Sequence, residues 1–257
     1  MGRRLGQHFL ASQAALERIA AGACPAETPL AIEVGPGRGA LTVCLLERAA
    51  RVIAIEVDPV LVHYLRRRLR EAIESGRLTL IEGDVLRTDL SQWGPAVVAG
   101  NLPYYITSPI LDRLFAPPAL WTRAVFLVQS EVARRLAAGP GSRDYGYLSV
   151  LAQVNARVEV LFDVPRTAFR PPPKVDSAVV RLEPRNPATD FGIADPPEFL
   201  RFASACFRHK RKTLRNNLLS SYPAEQVNVL PEGRLRAEQL GIKELAEIFA
   251  RLEKQTG

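Results

Sequence analysis

The chain has 257 residues, 47% of them hydrophobic, enough for a buried core and for one large domain or a domain with an appendage. No run approaches the roughly 18 to 20 apolar residues of a membrane helix, and the N-terminus lacks the apolar core of a signal peptide, so a cytoplasmic protein with no membrane role is expected. With 34 Lys and Arg against 27 Asp and Glu the formal charge is +7, which favours a polyanionic partner; Cys24, Cys44 and Cys206 have neither metal-ligand nor disulfide spacing and read as reduced, buried thiols.

In chain order, Ala31 to Val34 is a short apolar run ending in the turn Gly35-Pro36-Gly37-Arg38-Gly39, and residues 40–50 read as a helix. Arg51 to Val57 is β-branched and contains Glu56 near its end. Pro59 suits the first turn of a helix whose apolar spacing runs over 60–75. Leu78 to Ile81 is a third strand, closed by Gly83-Asp84, and Ala96 to Ala99 a fourth, closed by Asn101-Leu102-Pro103-Tyr104. A helix over 108–115, a strand over 124–128 and a helix over 130–138 follow. Strands separated by helical segments imply βαβ units, hence a parallel sheet covered on both faces, an α/β fold of Rossmann-like type. In such sheets ligands sit at the carboxyl ends of the strands, where Gly35, Glu56, Asp84 and Asn101 all fall.

Beyond a glycine-containing loop at 139–146, two further strands are expected over 158–164 and 177–183, flanking the proline-rich segment 166–174. A linker near 185 then separates a purely helical remainder, so the division predicted is 1–185 and 186–257.

The glycine turn is G-x-G-x-G and not the dinucleotide fingerprint, although Glu56 could bind ribose hydroxyls in a dehydrogenase as well. No Tyr-x-x-x-Lys pair supports hydride transfer, and S-adenosylmethionine, with an adenosine but no pyrophosphate, fits better. Asp84 would accept from the adenine amino group, with the Val85 backbone at the ring edge, and Gly35 and Gly37 would let the cofactor approach the backbone. Turn or helix capping is the alternative for both Glu56 and Asp84. In Asn101-Leu102-Pro103-Tyr104 the Asn carboxamide and a neighbouring carbonyl, of Leu102 or Pro103, can accept hydrogen bonds from an exocyclic amine, while the Tyr104 ring can stack on a base. Phe169 is placed on the other face of that base, with packing at the proline-rich loop as the alternative. The basic run Arg208-His209-Lys210-Arg211-Lys212-Thr213-Leu214-Arg215 offers Arg208, Lys210, Arg211, Lys212 and Arg215 to RNA; for Arg66 to Arg70 a solvated helix face is as good a reading. Nothing suggests a metal.

The segments LGQHFL (5–10), EVGPGRGALT (33–42), IEVD (55–58), GD (83–84), NLPYYITSPIL (101–111), QSEVARRL (129–136), FRPPPKVDSAVVRL (169–182) and FRHKRKTLRNNL (207–218) together resemble the ribosomal RNA adenine N6,N6-dimethyltransferase family, and within it the small-subunit, kasugamycin-sensitivity branch more than the erythromycin-resistance enzymes. The resemblance implies a Rossmann-like S-adenosylmethionine-dependent domain with a small helical C-terminal domain that binds RNA. It implies cofactor contacts at His8, Leu10, Gly35, Glu56, Asp84 and Asn101, with Gln7 nearby; His8 stands where the family often has Asn. It also implies a monomer acting on adenines of a small-subunit rRNA hairpin or an immature small ribosomal subunit. Methylation of a DNA adenine or a protein glutamine, and a non-enzymatic role in checking ribosome assembly, remain open on the residues alone.

Overall fold

A computed structural model describes residues 8–103, 106–116 and 120–253. The described chain forms two units: one comprises the residues through Ala133 together with Glu159–Pro184, the other Arg134–Val158 together with the residues from Arg185 onward.

The first unit is built on a sheet whose strands are β2 (Thr28–Val34), β3 (Ala49–Glu56), β4 (Leu78–Glu82), β5 (Ala96–Asn101), β6 (Trp121–Gln129), β7 (Ala156–Val164) and β9 (Ser177–Pro184), in the order β4-β3-β2-β5-β6-β9-β7. The pairs β2–β3, β3–β4, β2–β5 and β5–β6 are parallel, and β9 runs antiparallel to β6. Central strands such as Val52–Glu56 and Ala96–Gly100 are buried along their length, the pattern expected where both faces are covered. The chain leaves β2 for β3 on one side and returns to β5 on the other, so the sheet has its switch point between β2 and β5. A crevice opens there at the carboxyl ends of the strands. A separate two-stranded ribbon pairs β1 (Phe9–Leu10) with β8 (Phe169–Arg170), antiparallel, and Ala11 N donates to Ala168 O beside it.

The helices of this unit are α1 (Gln13–Ala23), α2 (Ala40–Leu46), α3 (Pro59–Arg68), α4 (Arg70–Glu74) and α5 (Thr107–Phe115). Three differ from the sequence-based expectation. The helix expected over 40–50 stops at Leu46, because Ala49 already pairs with Thr28 in the sheet. The helix expected over 60–75 breaks at Leu69 (φ −113°, ψ 29°), which turns Leu69, Ala72 and Ile73 onto the core. Helix α1 was not anticipated; Ser12 caps it by accepting from Ala15 N, and Leu16, Ile19, Ala20 and Ala23 are buried.

The second unit corrects the expected 1–185 domain. Helix α6 (Ser130–Ala137) straddles its border, and α7 (Tyr147–Asn155) belongs to it, because Tyr145, Val150 and Val154 are buried in one cluster with Phe199, Phe202, Leu214, Leu245 and Ile248. Helix α7 buries Leu148, Ser149, Val150, Leu151, Ala152 and Val154, so it is apolar nearly all round and shows no helical period in the sequence. The rest of this unit is α8 (Pro187–Phe191), α9 (Pro196–Cys206), α10 (Leu214–Leu218), α11 (Ala224–Asn228) and α12 (Ile242–Glu253), with Phe199, Phe202 and Phe249 in mutual ring contact at 5.5 to 6.0 Å.

Gly100 sets the spacing of β2 and β5 beside the crevice: a Cβ there would lie 2.6 Å from Val34 O, a backbone atom held by the sheet. Gly100→Ala is therefore expected to destabilise the protein by about 1–3 kcal/mol, read from the urea midpoint, and a midpoint equal to the parent would contradict this packing.

Candidate active site

The crevice is a cleft of about 610 Å³, within the usual range for a small-molecule site. Gly35, Gly37, Glu56, Asp84, Val85, Asn101, Leu102 and Pro103 all line it, as do His8 and Leu10. Sequence-singled residues from four successive strand ends and from the N-terminal ribbon thus meet in one place. Gln7 and Tyr104 lie outside the described residues.

Glu56 organises the glycine turn. It is 3% exposed, and its two oxygens accept from Gly37 N and Asp58 N, each at 3.0 Å. Each oxygen keeps lone-pair capacity for a further donor, which suits a vicinal ribose diol. Gly37 has φ +58°, and the Phe9 ring lies 3.2 Å from where its Cβ would be, so the turn accepts no side chain there. At Gly35 a Cβ would meet nothing within 4 Å, which is room for a ligand against the backbone. Asp84 accepts from Leu86 N through Oδ1 at 2.9 Å, while its side chain stays 43% exposed. Both carboxylates thus cap turns, Glu56 through both oxygens and Asp84 through Oδ1, and each keeps acceptor capacity beyond those bonds.

Asn101 ends β5, and its Nδ2 donates to His8 O at 3.2 Å. A backbone carbonyl only accepts, so the network fixes which way the amide faces and leaves Oδ1 as its acceptor. Leu102 N is tied to Leu127 O at 3.0 Å, and Pro103 O already accepts from Ile106 N at 3.1 Å, which makes Leu102 O the better second acceptor for an amine. His8 Nδ1 faces Pro171 O at 2.9 Å, so that nitrogen carries the proton.

Phe169 corrects the expectation of a base sandwich. It is 1% exposed, pairs with Leu10 across the ribbon and sits in the apolar core, presenting no ring face to the cleft. Its neighbour Arg170 lines the cleft instead.

Glu33 is a cleft residue to which the sequence reading gave no role. It is 1% exposed and lines the cleft, with the Thr42 hydroxyl beside it, and its Oε2 completes no hydrogen bond among the described residues. Burial pushes its carboxyl up to about 8; the Thr42 hydroxyl offsets part of this and the Glu56 charge adds to it. The only sequence signal was an acid inside an otherwise apolar strand.

In the second unit the basic run is a turn from Arg208 to Thr213 between α9 and α10, and Arg215 lies in the first turn of α10. Buried Asn217 holds it, donating to Cys206 O and His209 O and accepting from His209 N. Arg208, Lys210, Arg211, Lys212 and Arg215 are all exposed, and none forms an ion pair with another described residue.

The family profile described as ribosomal RNA adenine dimethylase matches residues 2–254. The chain belongs to that family. It is 46% identical to the ribosomal RNA small subunit methyltransferase A of Acidobacterium capsulatum, over 98% of this chain and 92% of that one. It is 40% identical to the protein of the same name in Chlorobium chlorochromatii, over 99% and 94%. Among solved structures, a dimethyladenosine transferase from Plasmodium falciparum superposes with a TM-score of 0.81 at 26% identity, covering 97% of this chain and 98% of the other. The 23S rRNA methyltransferase ErmE gives 0.71 at 28% identity, covering 95% and 99%. The protein is an S-adenosylmethionine-dependent rRNA adenine dimethyltransferase of this family, and its resemblance is to the small-subunit branch. The cleft fits that cofactor: a buried carboxylate with spare acceptor capacity, an open glycine backbone and an orphaned acidic oxygen meet in one space.

A carboxyl that folding raises from 4.5 to about 8 adds stability at low pH that is lost as pH rises toward 8. Glu33→Gln is accordingly expected to flatten the fall in stability of the free protein between pH 5 and 8, a difference on the order of a few kcal/mol. Urea titrations at those two pH values decide it; parallel pH dependence in both proteins would contradict the burial argument.

Proposed function

We propose that this enzyme transfers two methyl groups to N6 of adenines in small-subunit rRNA, two neighbouring ones in a hairpin, on the small ribosomal subunit or its precursor. The single observation that carries the chemistry is the Asn101 amide, oriented by the His8 carbonyl so that its oxygen is the acceptor left for an amine. The names of the relatives at 40 to 46% identity support the small subunit as the source of the RNA. The adenine pair and the hairpin rest on the resemblance of the motifs.

An adenine N6 lone pair is delocalised into the ring and is a weak nucleophile. Asn101 Oδ1 and Leu102 O, accepting the two amine hydrogens, favour a more pyramidal nitrogen and point its lone pair along one line. S-adenosylmethionine supplies, when bound, an electrophilic sulfonium methyl. Glu56 and Asp84 bind and orient its adenosine end, and the glycine turn provides the close backbone approach. The methylated nitrogen then releases a proton to solvent, so these residues need no dedicated base. A base inside a folded RNA must be turned out of its stack to reach the cleft, and Tyr104 is proposed to stack on it.

The exposed turn around Arg211 and Lys212 is proposed to contact RNA phosphates. With about six such contacts the affinity for RNA falls on the order of 10³-fold between 50 and 200 mM salt. Neutralising Arg211 and Lys212 together is expected to make that salt dependence shallower by about 1.4 to 1.8 in log–log slope; an unchanged slope would remove them from the interface.

Incubation with labelled S-adenosylmethionine and unmethylated small subunits, followed by digestion to nucleosides, tests the reaction. Label is expected in N6,N6-dimethyladenosine, and Asn101→Ala is expected to lower the rate about 10²- to 10³-fold. Label in DNA or protein in preference to the subunit would overturn the proposal.

A further inference from the structure

The mouth of the cleft carries two guanidinium groups that the binding of cofactor and base, as described above, does not use. Arg38 follows Gly37 in the glycine turn, is exposed, and lies over the Phe9 ring with its central carbon 4.6 Å from the ring centroid. Arg170 is exposed and is the register partner of Phe9 in the β1–β8 ribbon. Both line the cleft. Phe9 thus links the two positions: its ring lies against Gly37 and under the Arg38 guanidinium, and its backbone pairs in register with Arg170.

Neither arginine has a carboxylate partner among the described residues, although three carboxylates, Glu33, Glu56 and Asp84, line the same cleft. Those acids lie deeper or are engaged with backbone N–H groups. Two like charges lining one cleft without a counter-charge are an arrangement that a bound anion would relieve.

Their remaining hydrogen-bonding capacity suits a phosphate. Arg170 spends only Nη1, donating to Thr167 O and Phe169 O at 2.9 Å each, which fixes the guanidinium plane and leaves Nη2 and Nε. An edge with those two nitrogens matches two oxygens of a phosphate. Arg38 uses its face on Phe9, so all of its N–H edge stays available. The location is also right, because His8, the residue before Phe9, holds Asn101. A nucleotide whose base reaches Asn101 carries its backbone past this ribbon.

We infer that Arg38 and Arg170, brought together by Phe9 at the cleft mouth, form a phosphate clamp for the RNA strand that delivers the target adenine. This rests on the RNA reading of the cleft. The clamp sits on the methyltransferase unit and is separate from the basic turn at 208–215. It also explains why an otherwise apolar ribbon keeps an exposed arginine at Arg170, next to a buried Phe169.

The test uses the full-length protein with Arg38→Gln, Arg170→Gln, the double variant and the double Lys replacement, and Arg48→Gln as an exposed control before β3 that does not line the cleft. Binding to unmethylated small-subunit rRNA is measured at several salt concentrations, and S-adenosylmethionine binding by calorimetry without RNA. The double Gln variant is expected to bind RNA on the order of tenfold more weakly at 0.1 M salt, with the log–log salt slope shallower by about 1.4 to 1.8. Its cofactor affinity and melting temperature should match the parent, the double Lys protein should regain most of the affinity, and Arg48→Gln should change nothing. If the double variant does not fold, Arg170→Gln alone should show half the slope change. An unaltered slope, or a loss confined to cofactor affinity, would overturn the clamp. A parent protein that fails to methylate the RNA would instead overturn the functional reading, so the two failures are told apart.

Discussion

The cleft depends on one buried carboxylate. Glu56 emerges from the end of β3 into a site that is nearly closed to solvent, and it takes a backbone N–H from each side: Gly37 in the turn after β2 and Asp58 at the start of α3. A buried charge is tolerated only where it is hydrogen-bonded, and here the bonds come from the two loops that bound the cleft. The same two oxygens that hold the loops apart at a fixed width are the ones with acceptor capacity left for a ligand. The structural role and the proposed binding role can therefore share one side chain.

A second constraint acts on the other side of the sheet's switch point. The amide of Asn101 has no preferred direction of its own, and a carbonyl from the N-terminal ribbon sets it. That ribbon is itself held by β8 and by the bond from His8 to Pro171. The reactive end of the cleft is thus assembled from residues far apart in sequence, and the geometry of an amine acceptor rests on a two-residue strand pairing.

The parallel sheet and the positions of Gly35, Glu56, Asp84 and Asn101 at the ends of its strands were legible in the sequence, because strand, turn and helix signals alternate and the chemistry falls at each strand end. Less legible were features decided by tertiary packing. Helix α7 shows no helical period because it is buried nearly all round, and it belongs with the C-terminal unit through Tyr145, Val150 and Val154, which no local pattern announces. Phe169 lies in a motif suited to stacking on a base, yet the ribbon with Leu10 draws its ring into the core. Glu33 gave little signal, since a single acid in a strand says nothing about burial until the strand's neighbours are known. The basic run at 208–215 was visible, but not that a buried Asn217 shapes it into a turn.

The most direct test of this account is calorimetric titration of S-adenosylmethionine into Glu56→Gln, beside the parent protein. A glutamine turns an NH₂ group toward one of the two backbone donors and removes an acceptor from the proposed ribose site. The account expects a protein that still folds cooperatively but binds the cofactor about 100-fold more weakly, a change of about 2.7 kcal/mol. Affinity equal to the parent's would contradict it, because the cleft would then be organised and occupied without the carboxylate on which everything described here depends.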